Sequence, residues 1–354
     1  MHSPHDQTHV VANRDVNPSA QLVATYPDLA CLLRNEAISA AFSDFEEKAL
    51  RWKRFYTFFG RLSLIAVMLA MVSFDYQITL KHVYGAPPFL AGLAAAFAAT
   101  GLISQALLGL THAKDRWLAT RFAAERLRCL KFQLFLILEE TSDAESLVAK
   151  VKHRTSEGMA ALDQELMGGR SAIMEFSPFD VLSPPRYRAT HTSKKLLDEA
   201  ASVYDILRFT VESQHFEDRF RAHDRETRFP SLLAEFSFMS GAVLASIGIL
   251  TALLPSAWRL SQILTAPPVM GWVDFLTWLL FVLSAVVAIH ERGSAHQQNA
   301  ERYVTYSREV RRIRNNAMAH MPSSLFDAMR EMEHLMLREI QDFCRDVRHS
   351  NYVF

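Results

Sequence analysis

Cysteine is scarce: three residues in 354, Cys31, Cys129 and Cys344, each isolated from CxxC or His-rich spacing. Neither a disulfide framework nor a zinc site is indicated, and reduced thiols in a cytoplasmic milieu are expected. An excess of one charge is lacking too. With 38 basic and 38 acidic residues, no chain-wide field argues for nucleic acid, and no direct nucleic-acid binding is expected. Walker loops, GxGxxG, HExxH and nucleophile elbows are absent, so no catalytic residue, cofactor or metal ligand is assigned and the protein is expected not to be an enzyme. No run alternates apolar and polar residues with β-branched enrichment, which leaves a sheet unsupported. Met1 to Asn17 is polar, with His2, His5, Asp6 and His9 scattered through it. Residues 1–27 are therefore read as a disordered terminus rather than a signal peptide or metal tail.

Long apolar runs are what the chain has. Half of it is hydrophobic and only 21 % charged, and most of the apolar residues gather in four stretches. The first, about 55–74, is interrupted only by Arg61; the second, 88–110, carries no formal charge and is rich in Ala and Gly; the third and fourth span about 236–258 and 269–289. At about 1.5 Å per residue each reaches roughly the 30 Å of a hydrocarbon core. The predicted fold is an all-α membrane protein with four transmembrane helices in two hairpins.

Basic residues set the expected orientation. Arg51, Lys53 and Arg54 precede the first stretch, and Lys114, Arg116, Arg121, Arg126, Arg128 and Lys131 follow the second, against Lys81 alone between them. Arg219, Arg221, Arg225 and Arg228 precede the third, and Arg292, Arg302 and Arg308 follow the fourth, against Arg259 between them. Both hairpins are predicted to point outward across an inner, cytoplasmic membrane, with both termini and residues 112–230 inside.

The two halves read as one unit written twice. Ala86-Pro87-Pro88 returns as Ala266-Pro267-Pro268, and Ala124-Glu125-Arg126 as Ala300-Glu301-Arg302, at offsets of 176 to 180 residues. A parallel duplication explains a near-constant offset. Apolar residues then follow at 3, 4, 3 spacing, Leu127, Leu130, Leu134 and Ile137 against Tyr303, Tyr306, Val310 and Ile313. That spacing predicts amphipathic helices extending each hairpin into the cytoplasm and needing partners. The stretch from Ser193, with Leu196, Ala200, Val203, Leu207 and Val211, and the stretch from Leu325, with Met329, Met332, Met336, Ile340, Phe343 and Val347, supply them. The expected division is a first helical unit at 28–166, a linker at 167–192, a second unit at 193–321 and a C-terminal cytoplasmic helix at 322–354.

Ionisable and polar residues within the spans are few. Asp75 and Asp274 fall near the outer ends of the first and fourth, where two carboxylates at one depth favour cations at a pore mouth or simply anchor at the interface. Ser104 and Gln105 either line a wet path or bond across helices. Arg186, Arg188, His191, Lys194 and Lys195 form a basic cluster suited to an anionic messenger or to lipid headgroups. Asp115, Arg116, Glu125 and Arg128 read as a solvated face, with a gating or assembly contact as the alternative.

The run Trp52-Lys53-Arg54-Phe55-Tyr56 entering the membrane, a tight hairpin, and then Arg116-Trp117, Arg121, Ala124-Glu125 and Leu127-Arg128 in an RWxxxRxxAExLR pattern are similar to the SLATT superfamily. The likeness covers residues 40–138; in the second half Gln297 replaces the matching arginine and no tryptophan precedes it. The resemblance implies a pore-forming effector of bacterial conflict systems, acting beside a nucleotide-sensing partner. The expected function is thus an oligomeric membrane effector gated through its cytoplasmic helices, with a non-conducting scaffold as the alternative. Reporter fusions at Phe354 and within 78–84 are expected to give opposite compartments; matching signals would reject this orientation.

Overall fold

The computed structural model describes residues 15–85, 87, 89–141, 144–168, 193–253, 266–294, 296–319 and 325–349. Among them there is helix and turn but no strand. After short helical turns at Ala20–Thr25, Pro27–Leu29 and Ala30–Leu33, the long helices are α1 (Glu36–Thr79), α2 (Phe89–Thr111), α3 (Ala113–Gln133) and α4 (Ala144–Met167). Then come α5 (Lys194–Tyr204), α6 (Val211–Leu253), α7 (Pro267–Ser294), α8 (His296–Ala319) and α9 (Leu325–His349). A buried π-helical turn, Asp205–Thr210, joins α5 to α6. Pro267 and Pro268 open α7, where the first turn has no intrahelical use for an N–H.

Two compact units divide the chain, and each takes residues from both halves of the sequence. One comprises Met1–Trp52, Asp115–Ala222 and Gln298–Arg348; the other comprises Lys53–Lys114, His223–Gln297 and His349–Phe354. The first unit owns the hydrophobic core. Leu127, Leu130, Leu134 and Ile137 are buried there, as are Tyr306, Val310 and Ile313, with Tyr303 packed against them. Ala200, Val203 and Leu207, and Leu325, Met329, Met332, Met336, Ile340 and Val347, complete the buried stripes. Apolar residues recurring at helical spacing thus meet as seams, the cheapest way to remove them from water.

Two expectations need correction. The helix after the second apolar stretch is not continuous, because His112 adopts a left-handed conformation with φ 49° between α2 and α3, a geometry that favours a short polar side chain over a β-branched one. Residues 15–27, expected to be disordered, are folded: Val16 and Leu29 are fully buried and Leu22, Val23 and Tyr26 pack against the core. Short apolar residues spaced through a polar stretch are a weak signal, which is why the terminus read as unstructured. Most of the expected linker, residues 169–192, lies outside the described residues.

The second unit carries the apolar stretches, and four helical segments, Pro27–Thr79, Phe89–Thr111, Lys194–Leu250 and Pro267–Glu291, are long and apolar enough to cross a membrane. The helices outrun a bilayer. The 44 residues of α1 extend about 66 Å, so only its apolar part fits a core of roughly 30 Å. Within this unit α1 approaches α2 closely: a Cβ on Gly101 would lie 2.8 Å from Val67, and Ser63 donates to the Gly101 carbonyl at 3.3 Å. Gly241 similarly lets α6 approach Phe281 and Leu280 of α7. Small residues at such crossings are how membrane helices gain packing without a hydrophobic drive between them. Large side chains elsewhere face outward, Leu102 71 % and Phe236 70 % exposed among them, an apolar surface that water does not tolerate and lipid does.

In the first unit, Gly158 of α4 faces Leu130 of α3 so closely that a Cβ would meet both leucine methyls at 2.6 Å. Leu130→Ala is expected to lower unfolding stability by about 2–4 kcal/mol. Gly158→Ala should destabilise the natural chain yet stabilise the Leu130→Ala variant, because its methyl then fills space rather than overlapping. Denaturant titration of the four proteins checks the reversal of sign.

Candidate functional site

The polar centre of the molecule lies in the first unit. Arg121, Glu125 and Arg128 recur at 4 and 3 residue spacing, so α3 presents them on one face. The π turn carries Arg208, the first turns of α6 carry Glu212 and His215, α8 contributes Tyr303, and α9 contributes Met336, Glu339 and Phe343. These side chains line a cavity of about 50 Å³, several times the room that one water's centre requires.

Ion pairs knit the walls. Arg208 donates through Nε and Nη2 to Glu333, 2.9 Å each, and through Nη1 to Glu212 at 2.7 Å. Its Nη2 also lies 3.6 Å from Cys129 Sγ, and its guanidinium sits 4.5 Å from the Phe132 ring centre. Tyr204 donates its hydroxyl to Glu333 at 2.7 Å. Arg121 bonds Glu46 at 2.9 Å and pairs with Glu125, which Arg128 bonds at 2.9 Å. Arg128 also pairs with Asp15 at 3.0 Å and lies over Phe42. Lys131 donates to the carbonyls of Asp15 and Val16, pinning the N-terminal segment.

Burial acts on every group here, and neighbours decide the outcome. Burial works against the Glu125 carboxylate, but Arg121 and Arg128 outweigh it and hold the pKa down at about 2. Glu212 goes the other way: burial pushes it up to about 7 although Arg208 and Arg128 oppose. Burial, then the charges of Arg219, Arg128 and Arg121, push His215 down to about 3, so its imidazole is neutral. Burial also pushes the Cys129 thiol far up, leaving it an inert packing group rather than a nucleophile. The arrangement can hold water and protons and can order helices; it presents no activated nucleophile.

The residues expected to act behave variously. Asp75 lies within the field of Asp274, so the fold brings these two carboxylates together, beside ring contacts of Tyr76 with Phe275 and a 2.9 Å hydrogen bond from Trp272 to Tyr84. Ser104 donates within its own helix to Thr100 at 2.8 Å, and Gln105 donates to Ser63 across helices at 3.0 Å. Arg186, Arg188 and His191 lie outside the described residues. Lys194 is exposed, and Lys195 pairs with Asp28 at 3.1 Å and Glu199 at 3.4 Å. The solvated face expected for Glu125 and Arg128 is corrected: Arg128 is 5 % exposed, because the N-terminal segment covers it. Arg116, by contrast, lies over the Trp52 ring at 4.8 Å.

Asp15, Glu46, Arg208, Glu212 and Glu333 escaped the sequence reading. A signal existed for two of them. Arg208 follows Leu207 four residues after Tyr204, and Glu333 follows Met332 between Met329 and Met336, so each is a charge set into an apolar face.

Residues 40–138 are similar to a family described as a protein of unknown function, DUF4231. The match covers the first two apolar stretches and α3, including Arg121, Glu125, Arg126 and Arg128. No curated protein and no solved structure matches the chain.

Arg208→Met keeps length and removes charge, leaving Glu333 buried without its bidentate partner. A loss of about 3–5 kcal/mol is expected. Adding Glu333→Gln should return part of it, and a double variant no more stable than Arg208→Met would show that the pair is not the element under load.

Proposed function

We propose that the protein is a multi-pass membrane effector of the SLATT kind, an oligomer in the inner membrane whose helical unit gates a conducting path. In this reading α1 with α2, and α6 with α7, form two outward-pointing hairpins. Both termini and the helical core unit are cytoplasmic, and a nucleotide-sensing or signalling partner acts there. The observation that carries the reading is continuity: α1 and α6 each pass unbroken from residues of the charged, well-packed unit into an apolar segment. Helical continuity links the two stretches of chain, and Pro230 inside α6 removes one intrahelical hydrogen bond there. Four spans in one chain seldom enclose a conducting path, so association with further copies supplies the wall. Asp75 and Asp274 are then the groups that favour cations at the outer mouth.

Ion flux from liposomes containing the purified full-length protein is the test. Flux that appears with protein and shifts in reversal potential on Asp75→Asn with Asp274→Asn supports the reading. A protein that stays non-conducting under every stimulus is a scaffold whose helices recruit partners.

A further inference from the structure

Helix α1 carries cations where it enters its apolar segment and holds nothing there to meet them. From residue 48 to residue 74 it contains no carboxylate. Arg51 reaches back to Glu47 at 2.9 Å. Arg54 and Arg61 are exposed, and among the described residues no carboxylate pairs with either.

The two arginines share a face. Arg54, Phe58, Arg61 and Ile65 follow one another at 4, 3, 4 spacing, which places them in one stripe along a helix, and all four are exposed. The opposite side of α1 is the one that meets α2: Ser63 bonds the Gly101 carbonyl, and Val67 lies against Gly101. The arginine stripe therefore looks away from α2. Residues 62–79, the rest of α1, extend about 27 Å, close to the roughly 30 Å of a hydrocarbon core. Arg61 thus stands at the edge of that core. Arg54 lies two turns further out, about 10 Å along the axis, past a headgroup layer about 5–8 Å deep. Phosphate groups occupy the interval between them. A guanidinium at the rim of the hydrocarbon requires a charged acceptor, and both side chains are long enough to lean into the headgroup layer.

We propose that Arg54 and Arg61 bind the phosphate of an anionic phospholipid from either side, with Phe58 between them against the glycerol and the upper acyl chain. Guanidinium matches phosphate oxygens with paired N–H···O bonds. Headgroup choice follows from charge. Two arginines already exceed the single charge of a phosphodiester, and a choline or ethanolamine headgroup would bring a third cation to the site, whereas a glycerol headgroup brings none. The site rests on the apolar segments spanning a bilayer and is independent of whether the protein conducts.

Spin-labelled lipid in phosphatidylcholine vesicles holding the full-length protein tests the proposal, because lipid held at the protein surface is slowed and its fraction gives a relative affinity. The natural chain should hold phosphatidylglycerol about fivefold or more over phosphatidylcholine, the factor that one cation near the headgroups supplies. Arg54→Gln with Arg61→Gln should lose most of that preference while slowing phosphatidylcholine as before, which shows that the variant still spans the bilayer. Arg221→Gln with Arg225→Gln removes equal charge ahead of the apolar part of α6 and should keep the preference. Replacing chloride by inorganic phosphate at constant ionic strength should also leave it unchanged. No preference in the natural chain, a preference retained without Arg54 and Arg61, or an equal fall in both double variants would overturn the site. Displacement by inorganic phosphate would assign the arginines to a soluble anion instead, and a changed assembled mass with no lipid preference would assign them to a second copy; either result rejects the proposal. A natural chain that slows neither lipid removes the spanning segments and the site together.

Discussion

A guanidinium removed from water must be met on all sides, and Arg208, 1 % exposed, is the point where the helical unit meets that demand. Its partners come from three directions: Glu333 on α9, Glu212 on its own helix, and the Cys129 sulfur and Phe132 ring on α3. The Glu212 bond is local, but the contacts with Glu333 and with Cys129 and Phe132 need α9 and α3 in register with this turn. The pair is weak as a source of net stability, since desolvation offsets most of the attraction. Its value lies in selection, because any other packing of the same apolar stripes would strand a charge. The π turn that carries Arg208 adds one residue to the helical cycle, and turns of that kind survive where a side chain must be re-aimed.

Around this point the two repeats use their matching arginines alike. Arg126 of the first Ala-Glu-Arg reaches forward to Glu165 on α4 with bonds of 3.0 and 2.6 Å. Arg302 of the second reaches forward to Asp346 and Glu339 on α9. Each therefore clamps the extension helix to the helix that follows it. The two Ala-Glu-Arg tripeptides thus hold similar places, each on a helix whose arginine bonds the next helix along the chain. The repeats then divide their labour. The first is charged along α3 and brings Arg121, Glu125 and Arg128 to the cavity, whereas the second offers Tyr303 and Tyr306, with Tyr306 donating to Asp342 at 2.6 Å.

The contrast between the units is one of solvent. One buries its large apolar residues in a single core; the other leaves residues such as Leu102 and Phe236 outside and spends small residues, Gly101 and Gly241, at helix crossings. Water rewards the first arrangement through the hydrophobic effect, and lipid removes that reward from the second.

The amino-acid sequence by itself determined the helices, the four apolar stretches and the buried stripes, because each rests on local periodicity: Leu127, Leu130, Leu134 and Ile137 lie inward whatever partner covers them. It also gave Asp75 and Asp274 a common depth, since distance along two spans can be counted, whereas their closeness within one chain came from the fold. Tertiary structure alone decided which charges would be buried. Glu125 and Arg128 have the spacing of a solvated face, and the packing of the Asp15 segment, α6, α8 and α9 around them makes them internal. The compact units likewise ignore sequence order, joining residues more than a hundred positions apart, such as Asp15 with Arg128 and Glu139 with Arg330. Periodicity describes one helix at a time, while pairing of charges depends on which helices meet, and that is a property of the assembled fold.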